Sequence, residues 1–204
     1  MGWVTLPPLI LKDMPCLISN GRTEQCKDSI SGIQAVYLIN FGDYDPDPST
    51  GGGDVTYDTT VGYEDMITAI GGNINSLYKY ELKGNNGFNT TVNTSRENGT
   101  TFFTQTLTIE LKRQDPVFHK QFKILAYGRP HIVVRTNGNQ FFLAGLYRGC
   151  DATAGSVESG VAYGDFNGYK LTFEAMEEKP ANFLDCSTES DLITLLGSPT
   201  LVTT

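Results

Sequence analysis

The sequence predicts a mainly-β fold: a β-sandwich or barrel of about seven strands with one packed α-helix and extended terminal arms. Runs of strict apolar/polar alternation are separated by Gly/Asn turn signals, and one stretch alone shows well-signalled helical spacing. With 204 residues the chain fills one good core, or one core with long arms, but hardly two independent domains. The expected division is an extended N-terminal arm over residues 1–31, a core over 32–178 with its helix near 115–127, and a C-terminal arm over 179–204.

Each element has a local reason. Pro7-Pro8, Pro15 and Ser19-Asn20-Gly21 break any helix near the start, and Leu9-Ile10-Leu11 offers an apolar piece to dock on a core or a neighbour. Ile33, Ala35, Tyr37, Ile39 and Phe41 share one strand face, with Val36 and Leu38 on the other, so both faces are expected to be partly buried. Residues 42–62 read as a long, exposed acidic loop, and 64–70 as a short helix or strand. Tyr78, Tyr80 and Leu82 alternate with Lys79, Glu81 and Lys83, after which Gly84-Asn85-Asn86-Gly87 turns the chain into a return strand from Phe88 to Thr94. Phe103, Gln105, Leu107, Ile109 and Leu111 oppose a threonine-rich face, as suits a pleated sheet.

Asp115 caps the helix, Pro116 fits its first position, and Phe118, Phe122 and Leu125 form a stripe to lie on the sheet before Gly128 stops it. His131–Arg135, the Asn137-Gly138 turn and Gln140–Tyr147 make a hairpin. Gly149 to Gly164 reads as a Gly/Ala/Ser-rich connection. Tyr169, Leu171, Phe173 and Ala175 form the last strand, and the tail holds at most a short helix between Ser187 and Leu196.

The formal net charge of −8 argues against a general nucleic-acid binder, but its distribution says more. Residues 1–76 carry 10 acids and 3 bases, 77–148 carry 4 and 10, and 149–204 carry 9 and 2. That segregation is neutralised either within one fold or between neighbouring copies, and only the second case predicts salt-sensitive self-association. No run of about 18 apolar residues occurs, and the first residues lack a secretory pattern, so neither a membrane span nor export by that route is expected. Gly2 is not followed by Ser or Thr at position 6, which is Leu6, so myristoylation is not expected.

Chemistry-bearing clusters are few. Asp43, Asp45 and Asp47 resemble the start of a calcium loop, but Pro48 stands where glycine is needed and Asp54 where glutamate is. A flexible acidic loop is the plainer reading. Cys16, Cys26, Cys150 and Cys186 are widely spaced and read as free thiols, with a Cys16–Cys26 disulfide left open. His131 reads as structural and His119 as solvent-facing. Glu177-Glu178 lacks an apolar setting that would raise a pKa. The sequons at Asn89, Asn93 and Asn98 read as polar strand and turn composition. Lys112, Arg113, Lys120, Lys123, Arg129 and Arg135 suggest a solvated or subunit-contact face ahead of a nucleic-acid site. No catalytic residue, cofactor site or enzyme class is expected.

Arg96-Glu97-Asn98-Gly99-Thr100-Thr101-Phe102-Phe103, Leu125-Ala126-Tyr127-Gly128-Arg129-Pro130, Phe142-Leu143-Ala144-Gly145-Leu146 with Gly149-Cys150, and Gly168-Tyr169-Lys170-Leu171-Thr172-Phe173-Glu174-Ala175 together form a pattern over residues 30–185. It resembles structural proteins of tailed bacteriophages, with the tail-tube type as the nearest group. The resemblance implies subunits joined edge to edge into homo-oligomeric rings, commonly six-membered. The rings stack into a tube through which genomic DNA passes without specific binding. It also implies contacts with other tail proteins, and a place in the virion tail after assembly in the host cytoplasm. Candidate contact elements are the 42–62 loop, the 84–100 hairpin region and both termini. The acidic loop and long N-terminus match no part of that pattern, which leaves a baseplate, neck or tail-terminator ring component, or a non-catalytic host- or glycan-binding module, as alternatives.

Overall fold

A computed structural model describes residues 21–24, 26–27, 30–47 and 53–203. It is mainly β, with twelve strands and two helices among these residues. The expected class holds, and the strand count exceeds the seven expected. Most of the expected N-terminal arm, including Cys16, lies outside the described residues.

The centre is a six-stranded sheet in the order β11 (Asn182–Phe183), β8 (Phe141–Ala144), β7 (His131–Thr136), β1 (Ile33–Ile39), β4 (Ser76–Glu81) and β12 (Thr200–Val202). All its pairs are antiparallel except β12 beside β4. This sheet is buried on both faces, as the doubly apolar β1 predicts. Ala35, Tyr37 and Ile39 enter one core with Leu77, Phe141 and Leu143, while Val36 and Leu38 enter a second with Ile132 and Val134. Ile33 joins the second core, not the Ala35 face expected for it, because a register shift between Ile33 and Ala35 breaks the alternation.

The first core is covered by a small ribbon of β2 (Val55–Tyr57) and β3 (Ile67–Ile70), and by α2 (Glu189–Leu195). Residues 42–62 are therefore not simply an exposed loop: Tyr44 is buried, β2 belongs to this cover, and 48–52 lie outside the described residues. The C-terminal stretch is likewise no arm. Thr188 and Asp191 form a reciprocal capping box that starts α2. Leu184, Leu192, Leu195 and Leu196 then fill the core, and β12 closes the sheet edge. These leucines are sparse in a polar stretch, and their partners on β1 and β8 lie remote in sequence.

The second core lies between the central sheet and a four-stranded antiparallel sheet, ordered β5 (Gly87–Ser95), β6 (Thr100–Lys112), β10 (Gly168–Glu177) and β9 (Asp151–Glu158). Leu107 and Ile109 on β6 and Leu171, Phe173 and Ala175 on β10 point inward, as their alternation predicts. The helix α1 (Pro116–Tyr127) is capped by Asp115, whose carboxylate accepts from the Phe118 N–H at 3.0 Å. Its Phe118 ring meets Tyr169 edge-on at 4.8 Å and Tyr80 at 5.7 Å, closing one side of the sandwich.

Two expectations about this second sheet fail for physical reasons. β5 does not return along β4 but crosses to the other sheet and pairs with β6. The buried Asn86 makes that crossing, its side-chain carbonyl accepting from Glu110 N–H at 2.7 Å where the ladder would otherwise lose a partner. The supposed 149–164 connection contains β9. Its small residues hide the strand from an apolar pattern, and the packing demands them: a Cβ on Gly155 would lie 3.2 Å from Phe122 and 3.3 Å from Leu171.

If the C-terminal residues are core, Leu192→Ala lowers unfolding free energy by about 2–5 kcal/mol in a denaturant titration, as for a buried leucine. A change near zero would restore the arm.

Candidate assembly surface

Among the described residues, the four-stranded sheet has a core and neighbours on one face only. Its outer face carries Thr104, Thr106, Thr108 and Glu110 of β6 beside Lys170, Thr172, Glu174 and Met176 of β10. Both lateral edges, β5 and β9, lack a further strand among the described residues. The nine residues of β5, Gly-Phe-Asn-Thr-Thr-Val-Asn-Thr-Ser, contain no charge and no proline. Soluble proteins commonly protect such an edge with lysine, proline or a bulge, and β5 has none of these. In β9 the acids stand only at its ends, Asp151 and Glu158.

The β5–β6 hairpin outruns its neighbours. β10 pairs with β6 from Lys112 back to Phe103, whereas β5 stays paired on to Ser95 opposite Thr100. The hairpin therefore projects as a two-stranded ribbon held by Asn93 Nδ2 donating to Thr104 Oγ1 at 2.8 Å and by a Thr94–Thr101 hydroxyl contact at 3.0 Å. The three sequon asparagines sit on this hairpin. Val92 and Phe102 are exposed on it.

An apolar groove of about 570 Å³ opens beside β5, lined by Tyr63, Met66, Thr90, Phe142, Pro180 and Phe183, among others. Phe142 and Phe183 meet at a tilt with 4.4 Å between ring centres, yet Phe183 and Tyr63 stay exposed. The Lys179–Asp65 pair at 3.2 Å spans the rim. The sequence reading missed this groove. Its only signal was Phe142 and Phe183 at strand positions whose neighbours Phe141 and Leu184 already serve the core.

The segregated charge is partly neutralised within the fold. Lys79–Glu189 at 2.7 Å, Arg129–Asp151 at 3.0 Å and Arg148–Glu178 at 3.8 Å each join the basic middle to the acidic C-terminal stretch. The six bases expected on one face are divided. Lys112, Arg113, Lys120 and Lys123 are exposed around α1 and the end of β6, whereas Arg135 lies over the Phe141 ring by the first core. His119 is exposed as expected. Asp45 lies in the loop with its Oδ1 accepting from Asp47 N–H at 3.0 Å, and Asp54 Oδ2 accepts from Asp45 N–H at 2.9 Å. Among the described residues, no group of three or more His, Cys, Asp or Glu side chains is placed to hold a metal ion.

A buried polar cluster holds the 144–150 bend. His131 is 1% exposed, its Nδ1 lies 2.6 Å from Gly145 O, and its ring stacks on Phe41 and meets Tyr44 at a tilt. Among the described residues its Nε2 has no hydrogen-bond partner, and burial holds its pKa below the ordinary value. Glu177, which the sequence reading left in a polar setting, is buried. Its Oε1 accepts from Tyr147 N–H at 3.0 Å and Arg148 N–H at 2.8 Å. Burial pushes its carboxyl pKa up, and those two amides only partly offset the rise. Gln105 completes the bend, accepting from Gly145 N–H and donating to Lys179 O. Gly145 and Gly149 have positive φ, and a Cβ on Gly149 would lie 2.5 Å from Arg129 O. Cys150 is buried and Cys186 half-buried, with burial raising both thiol pKa values and that of Cys186 to about 12, whereas the free Cys26 is exposed.

Comparison of the chain with family models, with curated proteins and with solved structures finds no match. Among the described residues, no helix is long and apolar enough to cross a membrane.

The two buried titrating groups act with opposite sign. For His131 the unfolded chain takes up a proton first as pH falls below 6.5, so its contribution to stability declines on acidification from there. For Glu177 the unfolded chain loses its proton first above 4.5, so its contribution declines as pH rises from 4.5 through the raised folded value. Glu177→Gln keeps an acceptor oxygen and is expected to abolish that second decline in unfolding free energy measured against pH. Glu177→Ala leaves two amides without their acceptor and is expected to cost about 1–3 kcal/mol.

Proposed function

We propose that the chain is a non-enzymatic structural protein that self-assembles through the edges of its four-stranded sheet. In this reading its homo-oligomeric rings, six-membered as in tail tubes of tailed bacteriophages, stack into a tube that passes genomic DNA. The observation that carries the reading is the uncharged, proline-free nine-residue edge of β5, with a second open edge at β9 on the far side of the same sheet. The sheet has four strands in alternating sense, so a second copy in the same orientation brings its β5 antiparallel to the first copy's β9. Such a contact is heterologous and generates a ring wherever its rotation closes.

The same geometry turns the threonine-rich outer face of every copy to one side of the continued sheet. A polar face that sets Lys112 and Lys170 among Glu110, Glu158, Glu174 and Asp151, with Lys170 paired to Glu158 at 3.1 Å, suits a lumen that DNA must traverse without sticking, because no row of bases neutralises phosphates. The projecting β5–β6 hairpin is available to the next ring. In this assignment the protein resides in the virion tail, is built in the host cytoplasm, and meets other tail proteins at the ends of the tube.

Electron microscopy of the purified protein across a range of salt concentrations tests this. Rings or tubes are expected, and monodisperse monomers at every salt concentration would contradict it. Closed rings that never stack would favour a baseplate, neck or tail-terminator component instead. The double substitution Thr91→Lys with Val92→Lys charges the β5 edge at exposed positions and is expected to abolish assembly, while unfolding free energy changes by about 0.5 kcal/mol at most per site.

A further inference from the structure

Five asparagines of the chain precede a glycine: Asn20, Asn86, Asn98, Asn137 and Asn167. Asn20 lies outside the described residues. Such a pair carries chemistry of its own, because the glycine nitrogen can attack the asparagine side-chain carbon with no Cβ in the way. An N–Cγ bond forms and the Cγ–Nδ2 bond breaks. The glycine amide proton passes through water to the leaving nitrogen, which departs as ammonia. Water then opens the five-membered succinimide at either carbonyl, giving aspartate or isoaspartate. The net change is asparagine and water to a carboxylic acid and ammonia. In a folded chain the rate depends on whether the two groups are free to meet, and so on local order.

Three of the described pairs are held apart from that encounter. Asn86 is buried, and its Oδ1 accepts from Glu110 N–H at 2.7 Å. Asn137 donates through Nδ2 to Ser31 O at 2.9 Å and through its own N–H to Gly32 O at 3.0 Å. Asn167 is exposed, but its carbonyl accepts from Arg113 N–H at 2.7 Å, and Gly168 is paired with both Lys112 and Glu158. A Cβ on Gly168 would lie 2.1 Å from Leu111 O, so that backbone has little room to swing.

Asn98 is placed differently. It is exposed in the turn at the tip of the projecting β5–β6 hairpin. Among the described residues its side-chain amide forms no hydrogen bond, and its N–H reaches Ser95 Oγ only at 3.3 Å. Gly99 has a φ of 63°, and a Cβ built there would meet nothing within 4 Å. The tip also lies beyond Phe103, where β10 stops pairing with β6, so bending the chain here disturbs no core contact.

We propose that Asn98 is a site of spontaneous, water-dependent deamidation, which the fold singles out from the Asn-Gly pairs at 86, 137 and 167. Arg96 and Glu97 balance each other at the tip, so the new carboxylate leaves it with one net negative charge. The isoaspartate form also lengthens the turn by one backbone atom. The hairpin thereby acquires a charge that grows with the age of the molecule. That this charge falls on a contact with the next ring rests on the assembly reading, whereas the chemistry itself does not.

Peptide mapping by mass spectrometry of the dilute full chain, sampled over days at mildly alkaline pH, tests the proposal. Tryptic cleavage after Arg96 and Lys112 releases residues 97–112, in which Asn98 is the only asparagine. In the folded chain this peptide is expected to gain one dalton several-fold faster than Asn86, Asn137 or Asn167 reacts, to split into aspartate and isoaspartate forms, and to react faster as pH rises. In urea the four rates are expected to converge, because the local chemistry is then the same. Asn98 reacting no faster than the other three in the folded chain would overturn the proposal. So would a lead that persists undiminished in urea, since the fold would then have no part in it.

Discussion

The structure depends on burying one sheet from both sides. β1 runs through the middle of the six-stranded sheet with β7 and β4 hydrogen-bonded on either flank, and its alternate side chains serve two separate cores. A strand with no wet face cannot slip in register without driving a core residue into the wrong cluster. That constraint fixes both covering layers. The β2–β3 ribbon and α2 must seal one face, while the four-stranded sheet and α1 must seal the other. Among the described residues the second sheet is sealed on one side only, with its outer face and both edges uncovered. The Tyr37 hydroxyl donates to Glu189 at 2.8 Å, and Lys79 reaches the same carboxylate oxygen, so α2 is tied to the central sheet by polar contacts as well as by leucines.

Much of this was legible in the residues. The alternation in β6 and β10 gave the correct inward rows, Asn137-Gly138 marked a real hairpin, and Asp115-Pro116 began a real helix with its phenylalanines on the sheet. What failed was long-range partnering. The turn chemistry at Gly84–Gly87 is the same whether the chain folds back on its own sheet or crosses to another, and only the partner of β5 decides between them. β9 was hidden because α1 needs small residues beneath Phe122. The C-terminal leucines were hidden because four apolar residues in a polar stretch mean little until the sheet they cover is in place. A one-residue register shift moved Ile33 to the opposite core, which no periodicity can show.

The candidate surface was less legible than the fold, for a related reason. Composition exposed the charge segregation, but ion pairs such as Arg129–Asp151 and Arg148–Glu178 take up part of it inside the subunit. The groove is assembled from Tyr63, Phe142 and Phe183, which lie on three distant stretches and become a site only in three dimensions. Glu177 was placed among polar neighbours by sequence, yet the 144–150 bend folds over it and makes it a buried acceptor for two amides. The neutral edge of β5, by contrast, is visible in a single strand. Its meaning as an open edge required knowing that β6 occupies its other side.

The central claim is that β5 carries the contact between copies. Hydrogen–deuterium exchange of backbone amides, compared between dilute protein and protein concentrated into its assembled state, tests it most directly. The account predicts that outward-facing amides of β5 and β9 slow together on assembly, while those of the central sheet are slow throughout. An assembled state in which β5 amides exchange as fast as in dilute protein would contradict it.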